Sequence, residues 1–268
     1  MNIIQKSRKY SSLIDIAKFG LLIGGIAWLL LRGSGRVGYN WQWYRVPRYL
    51  FTFEDGVFVS GPLLDGLWVT LEITGYSLVL ASVIGLLTAL FRLSGSRVAR
   101  LIARVYLEVI RNTPLLVQIF FLYFVLAPIF ELERFTAAVV ALSLFEGAYA
   151  SEIFRAGIVS IKRGQWEAAH SLGLSSFDTY RTIILPQALK RILPPLTGQA
   201  VSLIKDSALV STIAVYDLTM QGRTIIAETF LTFEIWFTVA AIYLIITLSL
   251  SLIVNVLEKR YGREMEFA

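Results

Sequence analysis

Three stretches of this chain, residues 73–91, 112–130 and 235–257, contain no Asp, Glu, Lys or Arg and are dominated by apolar side chains. At 1.5 Å per residue each is long enough, as a helix, to cross ~30 Å of hydrocarbon. Three further apolar stretches are less clean. Residues 135–158 carry Glu146, Glu152 and Arg155, residues 196–216 carry Lys205 and Asp206, and residues 13–31 are broken early by Asp15 and Lys18. The pattern predicts six helices, near 13–31, 63–91, 99–128, 135–158, 195–216 and 235–257.

Composition agrees with a membrane solvent. Apolar residues make up 56% of the 268 and charged residues 16%, where a soluble domain carries roughly 25% charge. The chain has no Cys and one His, His170. This excludes disulfides, thiolate chemistry and paired-His metal sites, so no metal, cofactor or catalytic residue is expected. The net charge of +6 belongs to the bilayer surface rather than to nucleic acid. With the N-terminus inside, the inner connections hold most of the Lys and Arg, among them Arg92, Arg97, Arg100, Arg104, Arg111, Lys162, Arg163 and Arg181. The outer connections hold only Arg32, Arg36, Arg45, Arg48, Arg134 and Arg223. Cations favour the cytosolic face, so both termini are expected there.

Residues 1–61 read as an uncleaved anchor helix followed by an external aromatic-rich segment (Trp41, Trp43, Tyr44, Tyr49, Phe51, Phe53) suited to an outer-interface belt. A cleaved signal peptide is the rival reading. The remainder is expected to form one membrane domain, 62–260, containing a cytosolic loop at 159–191, with a cytosolic tail at 261–268.

That loop carries local signals of its own. Residues 165–172 are rich in helix formers, and Gly173 stands where a left-handed residue ends a helix. Ser175 followed by Asp178 is a helix N-terminal capping pattern, and Pro186 is expected to interrupt or kink the second helix. Two short helices on a Gly hinge, on the basic side of a membrane protein, form a docking knob. His170 reads as an ordinary solvated side chain.

Glu167-Ala168-Ala169, then Gly173, then Ile183, Leu185 and Pro186 resemble, at every anchor, the EAA loop of binding-protein-dependent ABC importer permeases. Arg111-Asn112-Thr113-Pro114-Leu115-Leu116, Ala148-Tyr149 with Glu152-Ile153 and Arg155, Gly164-Gln165, Pro186-Gln187-Ala188-Leu189 and Lys205-Asp206-Ser207 are similar to the subgroup that imports polar amino acids of the histidine, glutamine and arginine type. The likeness covers about residues 62–260. Asn112 stands where that subgroup would have Gly. The resemblance implies an all-α, type I ABC importer permease fold of about six membrane helices in a bacterial cytoplasmic (inner) membrane. It also implies that Glu167, Ala168, Ala169, Gly173, Ile183, Leu185 and Pro186 couple the chain to a cytosolic ATPase present in two copies. An external substrate-binding protein and a second permease, identical or related, complete the implied assembly.

An ionised group in hydrocarbon costs on the order of 2.5–3.5 kcal/mol even on lenient scales, so such groups face a cavity or a partner. Glu152, Lys205 and Asp206, with Ser202 one turn from Lys205, offer the two charges that a zwitterionic amino acid requires. The resemblance also places these positions along the substrate path. The alternative is that they pair with one another or with Arg155, and Glu146 is a further intramembrane carboxyl. Pro114 is expected to kink its helix, and the Phe120, Phe121, Tyr123, Phe124 cluster to pack or face lipid. Nothing in the chain fits a Walker A loop, so ATP hydrolysis is assigned to another subunit. A secondary transporter driven by an ion gradient is the alternative function, and a membrane-embedded enzyme the third.

Overall fold

The computed structural model describes residues 18–25, 28, 32 and 38–266. Most of the expected anchor at 13–31, and the first seventeen and last two residues of the chain, lie outside that set. The chain divides into two compact units, 1–43 and 44–268. In the first, Trp41 packs edge-on to Tyr39 and stacks on Trp43.

The second unit opens with one helical turn, Pro47–Leu50, and an antiparallel hairpin of β1 (Phe51–Glu54) and β2 (Val57–Ser60), in which Phe53 faces Phe58. Its turn, Asp55-Gly56, has φ of +51 and +80. Left-handed angles at both positions match the twist of a tight hairpin. The rings of Phe51, Phe53 and Phe58 cluster at 5.7–6.0 Å.

Among the described residues nine helices then follow: α1 (Pro62–Leu93), α2 (Arg97–Arg111), α3 (Leu115–Phe130), α4 (Arg134–Val159), α5 (Arg163–Ser171), α6 (Ser176–Thr179), α7 (Leu185–Asp206), α8 (Leu218–Thr229) and α9 (Thr232–Glu266). Among the described residues, α1, α4 and the Thr232–Val254 part of α9 are each long and apolar enough to cross a membrane. A further crossing is available only as the bent pair α2 and α3, whose axes differ by 106°.

Two expected spans therefore take different forms. Residues 99–128 are not one helix, because Pro114 starts a new one as the cap of α3. Side chains satisfy the backbone freed at the break. Asn112 donates to the Glu108 carbonyl at 2.7 Å, Thr113 to that of Val109 at 2.8 Å, and Gln118 to those of Ile110 and Thr113 at 2.7 and 3.0 Å. Such substitution is what allows a broken helix at membrane depth. The span expected at 195–216 begins ten residues earlier, in α7. It ends at Asp206 in a 3-10 segment, Ser207–Ile213, closed by Ala214 at φ +56.

α1 and α4 form the central pair, with Gly85 lying against Ala150. One core cluster joins α1, α3 and α4 around Ile73, Ile119 and Leu142. Another lies where α4 meets α7, around Ala150, Phe154, Ile158, Ile184, Ala188 and Ile192. There the helices touch so closely that a Cβ on Gly157 would fall 2.3 Å from Ile192 Cγ1. A third joins the start of α1 to α8 and α9 through Leu63, Leu218, Leu231 and Ile235. Asp217, in the connection before α8, caps that helix by accepting from the Met220 N–H at 2.8 Å. Its other carboxylate oxygen is buried without a partner, and burial pushes its pKa up to about 6.

Candidate coupling loop and intramembrane polar cluster

The loop begins where α4 ends. α5 closes with a left-handed glycine, Gly173 at φ +72. The Leu174 N–H donates to the Ala169 carbonyl at 3.1 Å and the Gly173 N–H to that of His170 at 3.0 Å. This pair of bonds is the Schellman termination, and it sets the direction in which the chain leaves. Ser175 Oγ then caps α6 by accepting from the Asp178 N–H at 3.2 Å. Both local expectations hold.

Pro186 does not interrupt the second helix. α6 widens into a π-helical turn, Tyr180–Ile184, and continues directly into α7 with Pro186 in its first turn. A wider turn accommodates a residue without an N–H, so the ring is absorbed rather than ending the helix. The second arm of the loop is thus the start of a long helix whose other end holds Lys205 and Asp206.

The loop's inner face is fastened. Ala169 is fully buried, Trp166 packs edge-on to Tyr180 at 4.9 Å, and Arg191 donates to the Ser160 carbonyl at 2.6 Å. Its outer face is open. Glu167 and Ala168 are exposed, and Glu167 pairs with Arg163 one turn away at 2.9 Å. Leu172 and Phe177 are 78% and 70% exposed on either side of Gly173. Ile183 is half-buried, while Leu185 and Pro186 are exposed. His170 is exposed, its Nδ1 2.6 Å from the Trp166 carbonyl. The open part presents two apolar side chains, Leu172 and Phe177, beside two exposed carboxylates, Glu167 and Asp178.

The four substrate-path candidates separate into two places. Lys205 is exposed and Ser202 and Asp206 are half-buried near the end of α7. The Asp206 carboxyl reaches that of Glu146, which is 1% exposed on α4. Gln199 Nε2 donates to one Glu146 oxygen, and the other, Oε1, is buried without a partner. Gln199, Ser202 and Asp206 follow at three- and four-residue spacing, so they share one face of α7. Gln199 escaped the sequence reading because it is uncharged, although that spacing from Asp206 was visible. Glu152 does not join this group. It accepts from Arg92 at 2.6 Å, Arg155 at 3.1 Å and Arg111 at 3.2 Å, near the loop end of α4.

Together these features define a polytopic helical membrane protein with an exposed loop tip on a buried base and a partly buried polar cluster. Residues 81–263 match the family described as the binding-protein-dependent transport system inner membrane component, and the chain belongs to that family. It is 47% identical over 201 residues to the glutamine transport system permease protein GlnP of Escherichia coli (strain K12), covering 74% of this chain and 92% of that protein. It is 42% identical over 206 residues to the L-cystine transport system permease protein TcyB of Bacillus subtilis (strain 168), covering 75% and 88%. Among solved structures it is similar to an amino acid ABC transporter crystallised with histidines, at TM-score 0.70 and 40% identity, covering 74% of this chain and 94% of that one. The inward-facing MetNI methionine ABC transporter shares the fold at TM-score 0.65 and 19% identity, over 75% and 96% of the two chains.

Proposed function

We propose that this chain lines the translocation path of an ATP-driven importer of polar amino acids and receives the ATPase stroke through the knob at 167–173. The relatives named for glutamine and cystine support this cargo class. The chain is not itself an enzyme, and the ATPase is a separate subunit. The observation that carries the coupling role is the Schellman-closed knob, whose exposed tip stands on a buried base. Because α6 runs without interruption into α7, a push on the tip moves the helix that bears Gln199, Ser202, Lys205 and Asp206.

The proposed assembly has two ATPase copies at the knob, a binding protein at the opposite face, and a second permease, identical or related. The knob and both termini lie in the cytosol, in a bacterial inner membrane. Ser202, Lys205 and Asp206 line the path, joined by Glu146 and Gln199. The ammonium group of an amino acid would meet Asp206 and the unpartnered Glu146 oxygen, and its carboxylate would meet Lys205.

The test is uptake into proteoliposomes holding the permease, its ATPase and its binding protein. Uptake of radiolabelled glutamine, cystine, arginine or histidine should require internal ATP and survive an ionophore. Uptake without ATP that collapses when the ion gradient is dissipated would establish the secondary-transporter reading instead.

A further inference from the structure

The loop end of the helical bundle carries a concentration of charge that neither the path nor the knob uses. Along α2, Arg97, Arg100, Arg104, Glu108 and Arg111 recur at three- and four-residue spacing and form one stripe. On the rest of the helix Val98, Leu101, Ile102, Val105 and Val109 are 54–67% exposed. α2 is therefore amphipathic, and the 106° bend at residues 112–114 turns it away from the axis of α3. A basic amphipathic helix at such an angle suits the headgroup boundary of a bilayer.

Between the stripe and the ends of α1 and α4 lies a cavity of about 390 Å³ lined by Arg92, Arg100, Arg104, Arg111 and Arg155, with only Glu152 and Glu108 in opposition. Every ion pair here among the described residues converges on Glu152. Glu108 accepts from Asn112 Nδ2 at 3.0 Å. Arg100 donates only weakly, to the Ser94 carbonyl at 3.4 Å. One carboxylate thus gathers guanidinium groups from three helices, and the niche keeps a surplus of cations over anions. Arginine forks match phosphate oxygens two at a time.

We propose that this niche holds the phosphate headgroup of an anionic phospholipid, with its acyl chains along the apolar face of α2. Glu152 acts as the positioning residue that holds Arg92, Arg111 and Arg155 together beneath it. A phosphate in solution would use the same guanidinium chemistry but would leave the exposed apolar face of α2 uncovered, which is why the lipid is assigned.

The test is native mass spectrometry of the detergent-purified transporter complex titrated with phosphatidylglycerol or phosphatidylcholine. Arg100→Gln with Arg104→Gln removes two cations that pair with no carboxylate among the described residues, so folding should be unaffected. The control is Arg97→Gln, on the same helix but outside the cavity lining. At roughly a five-fold loss per cation near an anionic surface, the double variant should retain phosphatidylglycerol about 30-fold more weakly. Arg97→Gln should match the wild type, and phosphatidylcholine should not be retained by any form. Equal phosphatidylglycerol retention by wild type and double variant would overturn the proposal. So would thermal stabilisation of the wild type alone by inorganic phosphate without phosphatidylglycerol, which would give the niche to a soluble anion. Absence of retained phosphatidylglycerol from the wild type would equally overturn it.

Discussion

Gly173 offers a test in which backbone strain and side-chain size make opposite predictions. Its φ is +72, and nothing lies within 4 Å of where a Cβ would stand. Volume therefore costs nothing there, and the cost of substitution is the left-handed conformation, roughly 1–2 kcal/mol for a residue with a Cβ. Asn tolerates that region better than Ala, and a β-branched residue tolerates it least. A turn weakened by about 1–2 kcal/mol shifts its population about 5- to 30-fold toward other loop shapes. The strain falls on the exposed tip and not on the core at Ile184, Ala188 and Ile192, so insertion and Tm should stay at wild-type values. The assay is binding-protein-stimulated ATP hydrolysis by the reconstituted complex. Gly173→Asn should lie near wild type, Gly173→Ala about five-fold lower, and Gly173→Val at least about ten-fold lower. Gly173→Ala outperforming Gly173→Asn would mean that size governs the site, and normal stimulation in Gly173→Val would show that the turn does not transmit.

Three further outcomes are expected. Because the chain has no Cys, single Cys residues can report sidedness: impermeant maleimide should modify Glu228→Cys in intact spheroplasts and leave Ser175→Cys untouched, and the reverse would overturn the proposed orientation. Asp206→Asn should assemble but lose transport or change its preference among amino acids; recovery of transport in Lys205→Met with Asp206→Asn would remove this pair from the substrate path. For Asp217, burial raises the folded-state pKa to about 6 from an ordinary value of 3.8. The folded protein then favours the protonated form, so this contribution to stability is full below about 4 and is lost as pH rises through about 6. Asp217→Asn keeps an oxygen for the Met220 N–H and should raise Tm above pH 6 while flattening its pH dependence; an unchanged pH profile would show that Asp217 is not the titrating group.

The membrane class, the knob and its turn were legible from the chain because each depends on neighbours in sequence. Long apolar runs specify a solvent, and Gly173 and the Ser175 cap act over one helical turn. The Asp55-Gly56 hairpin is equally local, but the aromatic residues around it read as an interface belt instead. What no local signal could decide was which distant groups meet. Hydropathy scores the charge of Glu152 and Glu146 alike, yet packing sends Glu152 to three arginines on α1, α2 and its own helix, and Glu146 to Gln199 and Asp206 on α7. The course of the chain at Pro114 and Pro186 was likewise settled in three dimensions. A proline only removes a donor and fixes φ. Whether the helix then breaks or winds on depends on which groups take up the freed carbonyls: the side chains of Asn112, Thr113 and Gln118 at the first, and a π turn at the second. Sequence determined what the solvent is and where the chain turns, since both are sums over adjacent residues. Tertiary structure decided which buried charges are already neutralised and which remain available, since a buried charge is set by whatever packs against it.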